Sequence, residues 1–195
     1  MTIYLEDICK AYQGKEVLKQ FQLQVEWNKC YALIGAEGTG KSTVLKIFMG
    51  TEKPDAGAVH RMGDYKYPTL QSAYVSQEGQ LNVKKNAIWN VKKAHRWASK
   101  GRAVEELSRF LPDERQNIPV MELSQVERRY VELVRAFFIP ADFIVLDEPF
   151  EGMNEDERRK ALDYILENRG SRPLLAAARS EEGFEFAKII RMGPF

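Results

Sequence analysis

One run of eight residues limits this chain more than any other: Gly35, Ala36, Glu37, Gly38, Thr39, Gly40, Lys41 and Ser42 form a complete G-x-x-x-x-G-K-S, and Thr43 continues it. An apolar run with strand character at residues 31–34 feeds the glycines, and residues 43–49 read as the opening of a helix. In that strand–loop–helix setting the backbone N–H groups of residues 36–43 converge on a polyphosphate, backed by the positive end of the helix. Lys41 can bridge the outer phosphates, and the Ser42 hydroxyl is placed to ligate a Mg²⁺ already held by a nucleotide. Residues 35–43 are therefore the candidate nucleotide-binding segment, and the loop commits the chain to an α/β fold.

With 195 residues the chain suits one domain, spanning 1–195, long enough to bury roughly 70% of its unfolded surface. Its 29 lysines and arginines balance 28 aspartates and glutamates, so no global field collects a polyanion, and nucleic acid is not expected as a partner. Cys9 and Cys30 are far apart and lack a CxxC or His neighbour, so both read as reduced, packed thiols. MTIYLEDICK has acids where a signal peptide has bases, and no apolar run approaches the ~20 residues that span a bilayer. The expectation is a cytoplasmic chain whose association with a membrane comes through a partner.

Two alternating runs, IYLEDI and VLKQFQLQVE, flank the turn-like AYQGKE and predict a β-rich layer ahead of the phosphate loop. After the loop helix, TEKPDAG reads as a turn, AVHRM as a short strand and SAYVSQ as a buried strand ending at Gln77. Residues 83–111 turn helical, an inserted lobe, and beyond Pro119 the positions Val126, Tyr130, Val131, Val134 and Phe138 recur at helical spacing behind Ser124 as N-cap. A strand at 143–146, a charged helix at 154–167, the strand LLAAA, a short helical piece and a last strand in AKIIRM complete the chain. Strands alternating with helices predict a largely parallel sheet. FIVLDEP places Asp147 and Glu148 at the C-terminal end of an apolar strand, where open α/β sheets present their ligands. There Asp147 can hold Mg²⁺ through water, and Glu148 can polarise a water aimed at the terminal phosphate.

These motifs together resemble the ATP-binding subunit of an ABC transporter, nearly end to end. The resemblance implies an ABC-type P-loop ATPase fold: a mainly parallel sheet core, an N-terminal antiparallel β layer and a helical subdomain inserted at about 83–138. It implies ATP and Mg²⁺ as cofactors, Tyr12 as the aromatic against adenine, Gln77 as a glutamine touching Mg²⁺, and Glu148 as the catalytic residue, with Ser42 and Asp147 on the metal. LDEPFEGMN resembles the segment joining the Mg²⁺-binding strand to a dimer-contact loop, and DEPF before an acidic helix is similar to ATPases of nitrate, sulfonate and taurine importers. The implied partners are membrane permease subunits and a second ATPase subunit, identical or different, at the cytoplasmic face of a membrane.

The chain departs from that family in three places. Where members carry LSGGQ, it has LSQVE. Ser124 survives, but Gln125 and Val126 put side chains where glycine permits close backbone approach. Loss of two charge-assisted hydrogen bonds at roughly 1.5–3 kcal/mol each would weaken the nucleotide sandwich by about two to four powers of ten. The family's switch histidine is absent, and its position falls on Ala178 or Arg179. An arginine there can stabilise a terminal phosphate but cannot relay a proton, which implies a rate reduced by ~10²–10⁴. Asn154 stands where the dimer-contact loop usually has Asp. The departures predict a subunit completed by a different ATPase subunit, or alternatively a regulatory nucleotide-binding subunit with little hydrolysis.

The basic residues Lys84, Lys85, Lys92, Lys93, Arg96, Lys100 and Arg102 crowd the helical lobe. They read first as a solvated face and second as a face near anionic headgroups in a subunit docked beneath a membrane. Trp89 and Trp97, eight apart, predict one helical face packed into a core.

Overall fold

CYALI, FIVLD and LLAAA lack the polar alternation of a half-exposed strand, a pattern that suits a strand covered on both faces. The computed structural model describes residues 2–62 and 70–193, and these three segments form the centre of its larger sheet. In chain order the strands and helices are β1 (Thr2–Tyr12), β2 (Lys15–Glu26), β3 (Cys30–Ile34), α1 (Lys41–Met49), β4 (Ala56–Met62), β5 (Ser72–Val75), α2 (Ala87–Lys93) and α3 (Lys100–Ser108). There follow α4 (Asp113–Asn117), α5 (Gln125–Phe137), β6 (Phe143–Asp147), α6 (Glu155–Arg169), β7 (Leu174–Ala178) and β8 (Lys188–Arg191).

The antiparallel sheet runs β2-β1-β4, and the parallel sheet runs β5-β6-β7-β3-β8. Side chains of the parallel sheet divide by the period of two. Ala32, Ile34, Ile144, Leu146, Leu174 and Ala176 share a core with the helical lobe, α5 and α6. Tyr31, Leu33, Phe143, Val145, Leu175 and Ala177 share one with α1 and the antiparallel sheet. On that second face Phe48 of α1 is fully buried and meets the Phe143 ring edge-on, with centroids 4.9 Å apart. On the first face an aromatic cluster ties the lobe to the sheet helices: Phe110 stacks on Tyr130 at 4.4 Å and meets Tyr164 edge-on at 5.0 Å.

Several expectations are corrected by tertiary context. The helical run at 83–111 is two helices, because Asn86 and Ser99 each restart the chain as an N-cap, accepting from Trp89 N–H and Arg102 N–H. Trp89 therefore lies on α2 while Trp97 lies in the turn that follows, and the two do not share a helical face. Nor do they pack into a core, since Trp97 is 75% exposed and Trp89 39%. The strand expected to run to Gln77 stops at Val75 and occupies a sheet edge, with Ser72 and Tyr74 only half-buried. The piece after β7 expected to be helical is a pair of turns, around Gly183 at φ +82°. The loop helix starts two residues before the expected Thr43, at Lys41.

The N-cap at Ser124 is present as a reciprocal capping box: its hydroxyl accepts from Glu127 N–H at 3.2 Å, and Glu127 Oε2 accepts from Ser124 N–H at 2.7 Å. Arg115 of α4 grips the same carboxylate with Nε at 2.7 Å and Nη2 at 2.5 Å. This fork pulls the Glu127 carboxyl down to about 2. Because the folded value lies below the ordinary one near ~4.3, the linked stability is present above that ordinary value and is lost as pH falls towards 2.

Two outcomes follow from this packing. Phe48→Ala, which opens a cavity between α1 and β6, is expected to lower unfolding free energy by about 3–5 kcal/mol, read from urea denaturation. Arg115→Ala is expected to move the Glu127 titration, followed by carboxyl NMR, from about 2 towards the ordinary glutamate range; an unmoved titration would show that the fork is not its cause.

Candidate nucleotide-binding site

The first and last glycines of the phosphate loop stand where contacts leave no room for a larger residue. Gly35 N–H donates to Ala178 O at 3.2 Å, and a Cβ on Gly35 would stand 2.3 Å from Met192 O and 2.9 Å from Thr39 Oγ1. Gly40, the N-cap of α1, has φ +86°, and a Cβ there would stand 2.7 Å from Val17 O. Thr39 Oγ1 donates to Ala36 O at 2.9 Å, drawing the loop around on itself. The first hydrogen bond of α1 runs from Val44 N–H to Gly40 O, so the N–H groups of Lys41, Ser42 and Thr43 have no acceptor within the helix.

One cavity is lined by the loop residues Glu37, Gly38, Gly40, Lys41, Ser42 and Thr43 together with Tyr12, Val17, Gln77, Glu148 and Arg179. Tyr12, 42% exposed, enters from the end of β1, with Lys10 Nζ 5.4 Å from its ring centroid. Lys41 is buried and donates to Gly35 O at 2.7 Å and Ala36 O at 2.9 Å, with its Nζ 3.9 Å from Glu148 Oε1.

Asp147, the last residue of β6, is 3% exposed, and its Oδ1 has no hydrogen-bond partner. Burial pushes its carboxyl up from the ordinary value, opposed by the Ser42 hydroxyl and by the charges of Lys41, Lys46 and Arg129. An orphaned carboxylate oxygen beside a hydroxyl fits a hard divalent cation, and Ser42 and Asp147 are the residues that could hold one. Among the described residues no three His, Cys, Asp or Glu side chains form a metal cage, so a cation here needs further oxygens from the ligand or water.

Glu148 follows with φ +47°, an uncommon backbone conformation for a residue carrying Cβ. Its N–H donates to Ala177 O at 2.9 Å, which continues the β6–β7 pairing one residue past the strand end. The side chain is nearly buried; Oε2 accepts from Arg179 N–H at 3.3 Å, and Oε1 lies 3.9 Å from Arg179 Nε. Burial pushes this carboxyl up as well, against Lys41 and Arg179.

Register separates the two residues left open after LLAAA. Ala178 is the last residue of β7, buried and paired with Ile34, whereas Arg179 is the first residue beyond and borders the cavity. Its guanidinium, half exposed, reaches Glu37 Oε2 at 3.3 Å and Glu151 Oε1 at 3.8 Å. Arg179 thus spans the phosphate loop and the segment after β6.

Two residues absent from the expected site set the Gln77 loop. Arg129 of α5, 7% exposed, donates from Nη1 to Ser76 O at 2.7 Å and from Nη2 to Gln77 O at 3.1 Å. Glu132, 3% exposed, accepts from Gln80 N–H through Oε1, and burial pushes its carboxyl up. A signal was available: both positions border Tyr130 and Val131 on the helix, where a solvated charge does not belong.

The three expected dimer-face residues lie outside this cavity. Ser124 and Asn154 cap α5 and α6 through capping boxes, and the Gln125 side chain approaches the backbone of Gly152, where a Cβ would stand 3.5 Å from Cδ. The structure brings Gln125 and the loop before Asn154 together and keeps both apart from the phosphate loop.

Comparison with known proteins agrees with this geometry. The ABC transporter family model matches residues 18–151. A zinc import ATP-binding protein, ZnuC 1 of Aliivibrio fischeri, is 33% identical over 153 residues, covering 77% of this chain and 57% of its own length. ATP-binding protein Uup of Escherichia coli is 29% identical over 179 residues, 89% of this chain and 27% of its own. The Fe(3+) import ATP-binding protein FbpC 2 of Pectobacterium atrosepticum is 28% identical over 203 residues, 95% of this chain and 58% of its own. The chain thus spans from about a quarter to somewhat over half of the length of these relatives. Among solved structures, a dimeric ATP-binding cassette in a post-hydrolysis state with ADP and Pi superposes with a TM-score of 0.83 at 21% identity, covering 97% of this chain and 94% of its own. A bacterial Atm1-family ABC exporter with ATP bound gives 0.81 at 18% identity over 98% of this chain and 37% of its own, and at such identities the likeness is one of fold. With the phosphate loop, the acidic pair and the two-sheet architecture in place, this chain belongs to the ABC transporter family.

Proposed function

We propose that the chain binds and hydrolyses Mg-ATP as the ATPase subunit of an ABC transporter, coupled to separate membrane permease subunits at the cytoplasmic face. The observation that carries this reading is the buried acidic pair facing the phosphate loop: Asp147 with an orphaned oxygen and Glu148 held against Lys41 and Arg179. A site freed from chemistry would gain stability by replacing both carboxylates, since burial disfavours their charged forms. The named import ATP-binding relatives support the transporter assignment.

In this reading the N–H groups of the loop and α1 bind the phosphates, and Tyr12 carries the base. Lys41 exchanges the carbonyls of Gly35 and Ala36 for the outer phosphates. A bound Mg²⁺ would neutralise phosphate charge and hold it in place, with Ser42, Asp147 and Gln77 as its protein side. Glu148 orients and polarises the attacking water. Arg179 releases Glu37 and Glu151 to face the terminal phosphate, where it stabilises charge; an arginine stays protonated, so proton transfer falls to Glu148 alone.

No helix among the described residues is long and apolar enough to cross a membrane, so coupling to transport requires another chain or segment. For pairing, Ser124 is engaged in its own helix cap, and Gln125 and Val126 limit approach to a partner's phosphate. This favours a companion ATPase subunit with its own glycine-bearing signature.

The test is steady-state hydrolysis beside nucleotide affinity. Glu148→Gln should reduce turnover by at least about 10²-fold while Mg-ATP affinity is retained, and Lys41→Ala should weaken affinity itself. Turnover unaffected by Glu148→Gln would remove Glu148 as the base; tight binding by the wild type without turnover would leave a nucleotide-binding regulatory subunit.

A further inference from the structure

Between Glu78 and Glu105 the sequence has no carboxylate and seven lysines and arginines. The whole chain has a formal net charge of +1, so the remainder is net acidic and the positive charge is concentrated in this one stretch. The structure places it on the turn before α2, on α2, in the following turn and at the start of α3, with every one of the seven exposed. None of them forms an ion pair with a carboxylate among the described residues.

On α2 the two faces are sharply different. Ile88, Asn90 and Val91 are buried, whereas Trp89, Lys92 and Lys93, at i, i+3 and i+4, are exposed. Lys85 Nζ lies 5.9 Å from the Trp89 ring centroid, and one turn on, the Arg96 guanidinium lies 4.7 Å from that of Trp97. Trp97 is the most exposed large apolar side chain of the described residues. The outer surface of α2 and its turn is thus a convex strip of cations interleaved with two indoles.

From this we infer that the α2 face, Lys84 to Trp97, is a docking surface for an anionic lipid bilayer. Lysine and arginine are drawn to acidic headgroups, and indoles settle at the boundary between headgroup and acyl chain, so the two residue types satisfy one planar partner. Single-stranded nucleic acid, the other polyanion, binds in grooves where bases stack on open rings. Here the surface is convex and each indole already has a cation over its ring. The inference does not depend on the nucleotide reading, since none of these residues lines the nucleotide cavity. It adds a contact through which the chain itself touches the membrane.

The experiment is co-sedimentation of the full chain with vesicles of phosphatidylcholine or of an equal mixture with phosphatidylglycerol, with tryptophan emission recorded alongside. The expected result is partition to the mixed vesicles alone, a blue-shifted emission, and loss of both as salt is raised. Each basic residue near the surface raises partition by about fivefold, so Lys92→Glu with Lys93→Glu should lower it by more than about 25-fold, with Mg-ATP affinity and circular dichroism unchanged. Trp97→Ala, at a position too exposed to affect folding, should remove most of the blue shift. No partition, equal partition to phosphatidylcholine, or a charge-reversed variant that still binds would overturn the inference. So would displacement of the chain from the vesicles by polyuridylate, which would assign the face to nucleic acid.

Discussion

Two backbone hydrogen bonds at the C-terminal ends of the central strands of the parallel sheet hold the candidate site together: Gly35 N–H to Ala178 O, and Glu148 N–H to Ala177 O. They continue the β3–β7 and β6–β7 pairings past the strand ends. Consequently the phosphate loop leaves the sheet side by side with the acidic pair and Arg179, which follow it by more than a hundred residues in sequence. The strands can pair in this order because β3, β6 and β7 are apolar on both faces, one matched to α1 and the antiparallel layer and the other to the helical lobe. Loss of either covering layer would expose the hydrophobic centre that sets the register, and the register positions the phosphate loop, the acidic pair and Arg179.

Legibility in the sequence followed the locality of the cause. The phosphate loop, β6 with its acidic end, β7 and the cap at Ser124 are written in adjacent residues, and all stand where expected. What needed partners was harder to see. SAYVSQ looks like a buried strand until the sheet order places it at an edge. The choice between Ala178 and Arg179 depended on the pairing of β7 with β3, which a single strand does not disclose. Trp89 and Trp97 match a helical period, but α2 ends at Lys93 with Ala94 as its C-cap, which leaves Trp97 in the turn beyond. Arg129 and Glu132 sit beside the apolar stripe of α5, and their roles are not local, since their acceptors and donors lie more than fifty residues away in sequence.

The departures from the family pattern share a physical character: in this fold they serve the chain's own structure. Asn154 caps α6, Gln125 packs towards Gly152, and Arg179 pairs with Glu37 and Glu151. In the proposed function, the groups that would grip a nucleotide within one subunit are complete, whereas Gln125, Val126 and Asn154 alter the face that would close over a second subunit's nucleotide. Arg129 and Glu132 add a further link, because the helix that begins at Ser124 also clamps the backbone of the Gln77 loop. Gln77, whose backbone carbonyl α5 holds through Arg129, is also a residue that lines the cavity.

The central claim is that the nucleotide grip is complete in a single subunit and independent of dimer closure. Isothermal titration of Mg-ATP into the purified chain, at a concentration where sedimentation velocity shows a monomer, tests it most directly. The account predicts saturable one-to-one binding with the chain remaining monomeric. Absence of binding heat, or binding only together with dimer formation, would contradict it.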